Sequence, residues 1–129
     1  MPGETDLGRL LASLDVEQRP GRYTFVTGEW PSLRSAAQAM IVEAEGPTYV
    51  VTVEHARAVG APVEFEAAWL TLTVHSSLEA VGLTAAFSAA LADSGISCNV
   101  LAGYHHDHLL VPAGRLDDAV RVLERLSVG

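Results

Sequence analysis

The chain has 129 residues, 49% apolar and 19% charged, enough to bury one compact domain or two small halves sharing a core. Its single cysteine, Cys98, excludes an internal disulfide, and no stretch approaches the roughly 18 apolar residues that a membrane span requires. Sixteen acids against eight basic residues leave a net charge of -8, which repels phosphate backbones and argues against a nucleic-acid partner.

The N-terminal Met1-Pro2-Gly3-Glu4-Thr5-Asp6 is acidic and unlike the basic start of a secretory leader, so a soluble cytoplasmic protein is expected. Leu7, Leu10, Leu11 and Leu14 follow the spacing of a one-faced helix, with Asp6 as its N-cap. Pro20-Gly21 reads as the barrier to its continuation. Residues 22–28 alternate as a strand, and residues 29–35, containing Trp30-Pro31, read as a loop or distorted edge. Strands at 39–43 and 48–53 flank Glu45-Gly46-Pro47 and predict a hairpin. Residues 54–59 form a short helix that Gly60 ends from a left-handed C-cap position. Residues 61–64 are the candidate boundary between an N-terminal half, 1–62, and a C-terminal domain, 66–129.

The second half is more regular. Residues 68–75 alternate, with Leu70, Leu72 and Val74 opposing Trp69, Thr71, Thr73 and His75. Leu83, Ala86, Phe87, Ala90 and Leu91 form a helical stripe closed by Gly95. Strands at 96–104 and 109–111 enclose a tight turn at 105–107. A last helix carries Leu116, Ala119, Val120 and Leu123, with Asp117 and Asp118 early and Arg121 and Arg125 late, as a helix dipole favours. The order is β-α-β-β-α, one strand short of a βαββαβ unit, while the first half starts on a helix. Strand counting therefore predicts that residues 22–28 complete the sheet of the C-terminal unit. The fold class is α+β, ferredoxin-like: two intertwined βαββαβ units with antiparallel sheets and helices on one face.

The stretch Val74-His75-Ser76-Ser77-Leu78-Glu79-Ala80-Val81-Gly82-Leu83, the run Gly95-Ile96-Ser97-Cys98-Asn99-Val100 and the segment Ala102-Gly103-Tyr104-His105-His106-Asp107-His108 together resemble an ACT domain. Within that family they are most similar to bacterial stand-alone tandem-ACT proteins, which in turn resemble the ACT units of the animal cytosolic arginine sensor. The resemblance covers the C-terminal half strongly and the N-terminal half weakly. Glu79-Ala80-Val81-Gly82 stands where many amino-acid-binding ACT domains carry Asp-Arg-Pro-Gly, so ligand identity does not transfer. The resemblance implies a regulatory, non-enzymatic module that binds an amino acid or similar small metabolite. It also implies a homodimer acting on a separate regulated enzyme or transporter.

The residues supply a physical reason for a site at the same place. Gly82 permits close backbone approach at a helix start, where amide N–H groups and the positive end of the dipole suit a carboxylate. Ser76, Ser77 and Thr84 add hydroxyls, and Glu79 could pair with an ammonium group. His75, Leu78 and Leu83 complete the loop, and Asn99, Val100, Leu101 and Ala102 on the neighbouring strand offer backbone groups. The plainer reading is that the serines cap the helix and Gly82 relieves crowding.

Other constellations are weaker. His105-His106-Asp107-His108 has metal-ligand types, but one hairpin presents too few on one face without more from elsewhere, His75 being a possible third. A polar turn explains it without metal or cofactor. No nucleophile elbow frames Ser76 or Ser77, so no catalytic residue is assigned. Cys98 alternates with Ile96 and Val100 as a structural thiol, and Trp30 and Trp69 read as core or interface anchors. Glu43, Glu45, Glu54, Glu64 and Glu66 read as a solvated surface. The competing function is a structural interaction module with a vestigial ligand site.

Overall fold

A computed structural model describes residues 6–74 and 81–128. Asp6 accepts the Arg9 N–H at 3.0 Å and caps helix α1 (Leu7–Ala12). Strand β1 (Val16–Thr27) follows, then α2 (Pro31–Ala36), β2 (Ala39–Glu43), β3 (Gly46–Thr52), α3 (Val53–Ala58) and β4 (Ala67–Leu72). After the undescribed stretch come α4 (Leu83–Asp93), β5 (Asn99–Ala102), β6 (Asp107–Pro112), a 3-10 turn (Ala113–Arg115) and α5 (Leu116–Val128).

Two compact units share the chain, but not as successive halves. One comprises residues up to Pro20 together with those from Ala68 onward; the other is Gly21–Ala67. This packing division differs from a sequential cut at 62/66, because the first twenty residues join the C-terminal elements. Strand borrowing does occur, through a different segment from the one expected. The part of β1 before Gly21 belongs to the unit of β4, β5 and β6, where Thr73 donates its N–H to the Asp15 carbonyl at 3.0 Å. The later part, Tyr23 to Thr27, pairs antiparallel with β3.

In the first unit the strand order is β1-β4-β6-β5. Helices α1, α4 and α5 pack on one another. Leu70 and Leu72 of β4 and Leu109 and Val111 of β6 meet Leu10, Leu14, Phe87, Leu91 and Leu123 in one core, each fully or almost fully buried. Burying each such side chain contributes about 1.5–3 kcal/mol. In the second unit the order is β2-β3-β1, with both ladders antiparallel. Leu33 of α2 and Ala56 of α3 pack there on Val26, Tyr49 and Val51. These are helices laid on one side of ferredoxin-like sheets, the α+β class that strand counting predicts.

Four expectations are corrected. Pro20-Gly21 does not break the chain: it lies inside a strand of 12 residues, where Gly21 takes a φ of +96°. A proline lacking an N–H and a glycine with a positive φ bend a strand without ending it. Residues 31–36 are helical, not loop, because Pro31 occupies the first turn, where its missing N–H has no helical acceptor to lose. The predicted hairpin turn is tighter than expected, since Glu43 pairs directly with Gly46. Glu66 is not simply solvated: Arg22 and Arg57 approach it at 3.4 and 3.6 Å.

Candidate functional site

Helix α4 begins because Leu83, Phe87 and Leu91 recur on one buried face, and it ends where Gly95 takes a φ of +70°. Its N-cap is Gly82, at φ 97° and ψ -16°, so no side chain caps the helix from that position. The first intrahelical bond runs from the Ala86 N–H to the Gly82 carbonyl at 2.9 Å. The N–H groups of Leu83, Thr84 and Ala85 consequently have no acceptor within the helix. The first turn carries no acid to offset the positive end of the dipole. Leu83 is buried, while Thr84 and Ala85 are exposed. Gly82 also has a packing role, since a Cβ added there would lie 3.1 Å from Leu7 Cδ2. Of the other predicted site residues on this side, His75, Ser76, Ser77, Leu78 and Glu79 lie outside the described residues.

The strand contribution is selective. Gly103 donates its N–H to the His106 carbonyl at 2.9 Å, and the β5–β6 register continues as Leu101 opposite His108 and Asn99 opposite Leu110. Because antiparallel residues alternate between bonded and unbonded pairs, Asn99 and Leu101 direct their backbone groups into β6. Val100 and Ala102 direct theirs away from it, at the open end of the strand order. Of the four predicted strand residues, these two turn their peptide groups away from β6. Among the described residues no hydrogen bond joins Gly82, Leu83 or Thr84 to the segment Asn99–Ala102.

A second polar cluster, which sequence reasoning did not assemble, centres on His108. The Trp69 indole N–H points at His108 Nδ1 from 3.3 Å, and Thr71 Oγ1 lies 2.9 Å from the same nitrogen. Indole nitrogen only donates, so Nδ1 accepts and the ring proton of neutral His108 sits on Nε2. Gly103 leaves room for that edge, since a Cβ would come within 3.2 Å of Nε2. The Arg19 guanidinium stacks 4.0 Å from the Trp69 ring centre, a cation–π contact. Burial, then the charges of Arg19 and His106, hold His108 below its usual pKa. Burial pushes Asp107 above the usual carboxylate range, against the pull of His108 and His106. Glu17, Gln18, Arg19, Thr71, His106 and His108 line an open cleft of about 360 Å³. Its only sequence trace was that Trp69 and Thr71 share a face, as do His106 and His108.

Among the described residues no group of three His, Cys, Asp or Glu side chains could hold a metal ion. No helix among them is long and apolar enough to cross a membrane. Cys98 is half-buried, and burial pushes its thiol up to about 11.

Two family models, both for ACT domains, match the chain, one over residues 64–125 and the other over residues 2–68. A Vibrio cholerae protein of unknown function, described as a possible transport protein, is 41% identical and superimposes with a TM-score of 0.84, over 94% of this chain and 95% of that one. An Agrobacterium tumefaciens protein reaches a TM-score of 0.68 at 15% identity, covering 88% and 89% of the two chains. The ligand-free regulatory subunit of aspartate kinase from Thermus thermophilus reaches 0.64 at 11% identity, covering 90% and 97%. No curated protein matches the sequence.

Proposed function

The chain belongs to the ACT domain family of ligand-binding regulatory modules, and on that premise we propose that it senses a free amino acid or a closely similar metabolite and transmits the bound state to a separate protein. The start of α4 carries this reading. An eleven-residue helix there opens on glycine, with first-turn amides that have no acceptor within the helix and no acid in that turn to neutralise them. Such a terminus favours an α-carboxylate. The outward peptide groups of Val100 and Ala102 would complement the ammonium end, and His75, Ser76, Ser77, Leu78 and Glu79, which precede the helix in sequence, are the further ligand contacts proposed. Leu83 anchors the helix, Thr84 contributes its hydroxyl, and Asn99 and Leu101 hold β5 in register against β6.

The protein acts in the cytoplasm, as a homodimer and without chemistry of its own, on an enzyme or transporter that carries the regulated activity. The aspartate kinase regulatory subunit among its structural relatives supports an enzyme as the partner.

One observation favours the rival reading, an interaction module with a vestigial site. The φ of +97° and the approach of a Cβ to Leu7 together favour glycine at position 82 without any ligand. A thermal-shift screen against the free amino acids separates the two. A ligand at about 100 times its dissociation constant adds roughly 2.7 kcal/mol of stability. Thr84→Asp places a carboxylate in the first turn, where it should stabilise the free protein by about 0.3–1 kcal/mol and repel an incoming carboxylate. The proposal expects a shift with at least one amino acid that this variant abolishes. No shift with any of them leaves the interaction module as the better account.

A further inference from the structure

The sheet of the first unit has a second face, turned away from α1, α4 and α5, and it carries the polar cluster around His108. Val16 of β1, Leu70 and Leu72 of β4, and Leu109 and Val111 of β6 pack toward the helices. Strand alternation therefore sends Glu17, Arg19, Thr71 and His108 to the opposite face, from three neighbouring strands. Thr73 bonds to the Asp15 carbonyl while Arg19 reaches Trp69, so β1 and β4 run antiparallel and Glu17 falls opposite Thr71. The cleft that these side chains line with His106, about 360 Å³, lies within the roughly 300–1,000 Å³ range of small-molecule sites.

The cleft is more ordered than a solvated face requires. Trp69 and Thr71 are buried there and aim their donors at His108 Nδ1. The single proton of the neutral ring is thereby fixed on Nε2, which no hydrogen bond joins to another described residue. Gly103 admits that edge of the ring, since a Cβ would come within 3.2 Å of Nε2 and 2.9 Å of the His106 carbonyl. Arg19 sits 4.0 Å from the Trp69 ring centre, and such stacking engages the face of a guanidinium and not its N–H groups. His106 Nδ1 is buried with no hydrogen-bond partner among the described residues, a cost that a ring on a purely solvated surface avoids by turning to water.

We propose that this cleft binds a small monocarboxylate, whose oxygens accept from the Arg19 guanidinium and the His108 Nε2–H. Two donors of this kind, one of them charged and forked, fit a planar carboxylate, which a guanidinium can hold through two parallel bonds. Glu17 sets the charge limit. It shares the cleft and the strand face with Arg19, so the two formal charges cancel, and a second negative charge on the ligand would meet a carboxylate. The net charge of -8 acts in the same direction. A doubly charged oxyanion is thus selected against, and a carboxylate on a small neutral body is selected for. This site owes nothing to the start of α4, which belongs to the helical layer on the other face of the sheet.

The test titrates the isotope-labelled full chain with sodium propionate and, separately, with sodium sulfate, at constant ionic strength so that screening stays fixed. Propionate should move the His108 imidazole resonances and the Arg19 and Thr71 amides along one saturating curve. Sulfate should bind about tenfold more weakly. Arg19→Gln removes both charge and fork and should weaken propionate by about tenfold or more. That change also uncovers Trp69, so Glu17→Gln, at an exposed position, supplies a variant that packing does not confound. It should tighten propionate and narrow the gap to sulfate. Propionate curves that never saturate, or that coincide in the wild type and Arg19→Gln, overturn the site. Sulfate that binds the wild-type chain as tightly as propionate overturns the monocarboxylate assignment, as does an unchanged preference in Glu17→Gln. Propionate carries no ammonium group, so failure here leaves the amino-acid reading of α4 standing, and an empty thermal-shift screen leaves this site standing.

Discussion

Replacing Gly82 by alanine asks why a glycine opens α4. Its φ of 97° lies where a side chain collides with its own backbone, at a cost of about 1–2 kcal/mol. The new Cβ would also sit 3.1 Å from Leu7 Cδ2, closer than the 3.4 Å at which ordinary contact begins. Leu7 is half-buried and its methyl end can retreat, so overpacking adds only about 1 kcal/mol. Alanine stiffens the unfolded chain and returns about 0.4–1 kcal/mol. The expected net loss is about 1–2 kcal/mol. Gly95→Ala is the matched control, because its φ is also positive, at 70°, and nothing lies within 4 Å of the added Cβ. Urea denaturation should place Gly82→Ala below Gly95→Ala by about 1 kcal/mol, and adding Leu7→Ala should reduce that excess through coupling. If the double variant, shown folded by its urea curve, still gives no thermal shift with an amino acid that protects the wild type, the glycine serves ligand approach as well as packing. Equal losses at the two glycines, with no coupling to Leu7, would refute the reasoning.

Two other consequences concern titrating groups. His108 is held below its ordinary pKa, so the unfolded chain binds its proton more readily than the folded one. The neutral ring's contribution is therefore present above pH about 6.5 and is lost as pH falls toward the lower folded value. His108→Gln should flatten the stability profile between pH 7.5 and 5.5, measured by urea titration; parallel wild-type and variant profiles would discount the Trp69–Thr71 network. The thiol of Cys98, pushed by burial from 9.0 to about 11, holds about a hundredfold less thiolate at neutral pH than a free cysteine. Iodoacetamide should modify it slowly in the native protein and rapidly in urea, and equal rates in both would show that the thiol is not sheltered.

Local signals carried the elements that depend on them. The stripes through Leu7 and Phe87, the Asp6 cap and the Gly60 and Gly95 stops were all legible, because helices and caps are read over a few neighbouring residues. Where tertiary pairing overrode a local breaker, the reading failed. Pro20-Gly21 looks like an end, yet β1 continues through it because its two stretches are held by different partner strands. Pro31 looks like loop, yet Leu33 buries at 1% exposure and draws the first turn into a helix. At the site, the helix start and the neighbouring strand could be named from sequence. Which of the strand's peptide groups were free could not, since that depends on the parity of the β5–β6 register. The Trp69–Thr71–His108 network was hidden because its members lie 37 and 39 positions apart.

A heteronuclear NMR titration of the full chain, with the amino acid that gives the largest thermal shift, puts the ligand-sensing account at most direct risk. The backbone amides of Leu83, Thr84, Ala85, Val100 and Ala102 should move together along one saturating curve, with Asn99 and Leu101 moving less. Resonances that stay fixed there for every amino acid, or that move instead around His106 and His108, would contradict it.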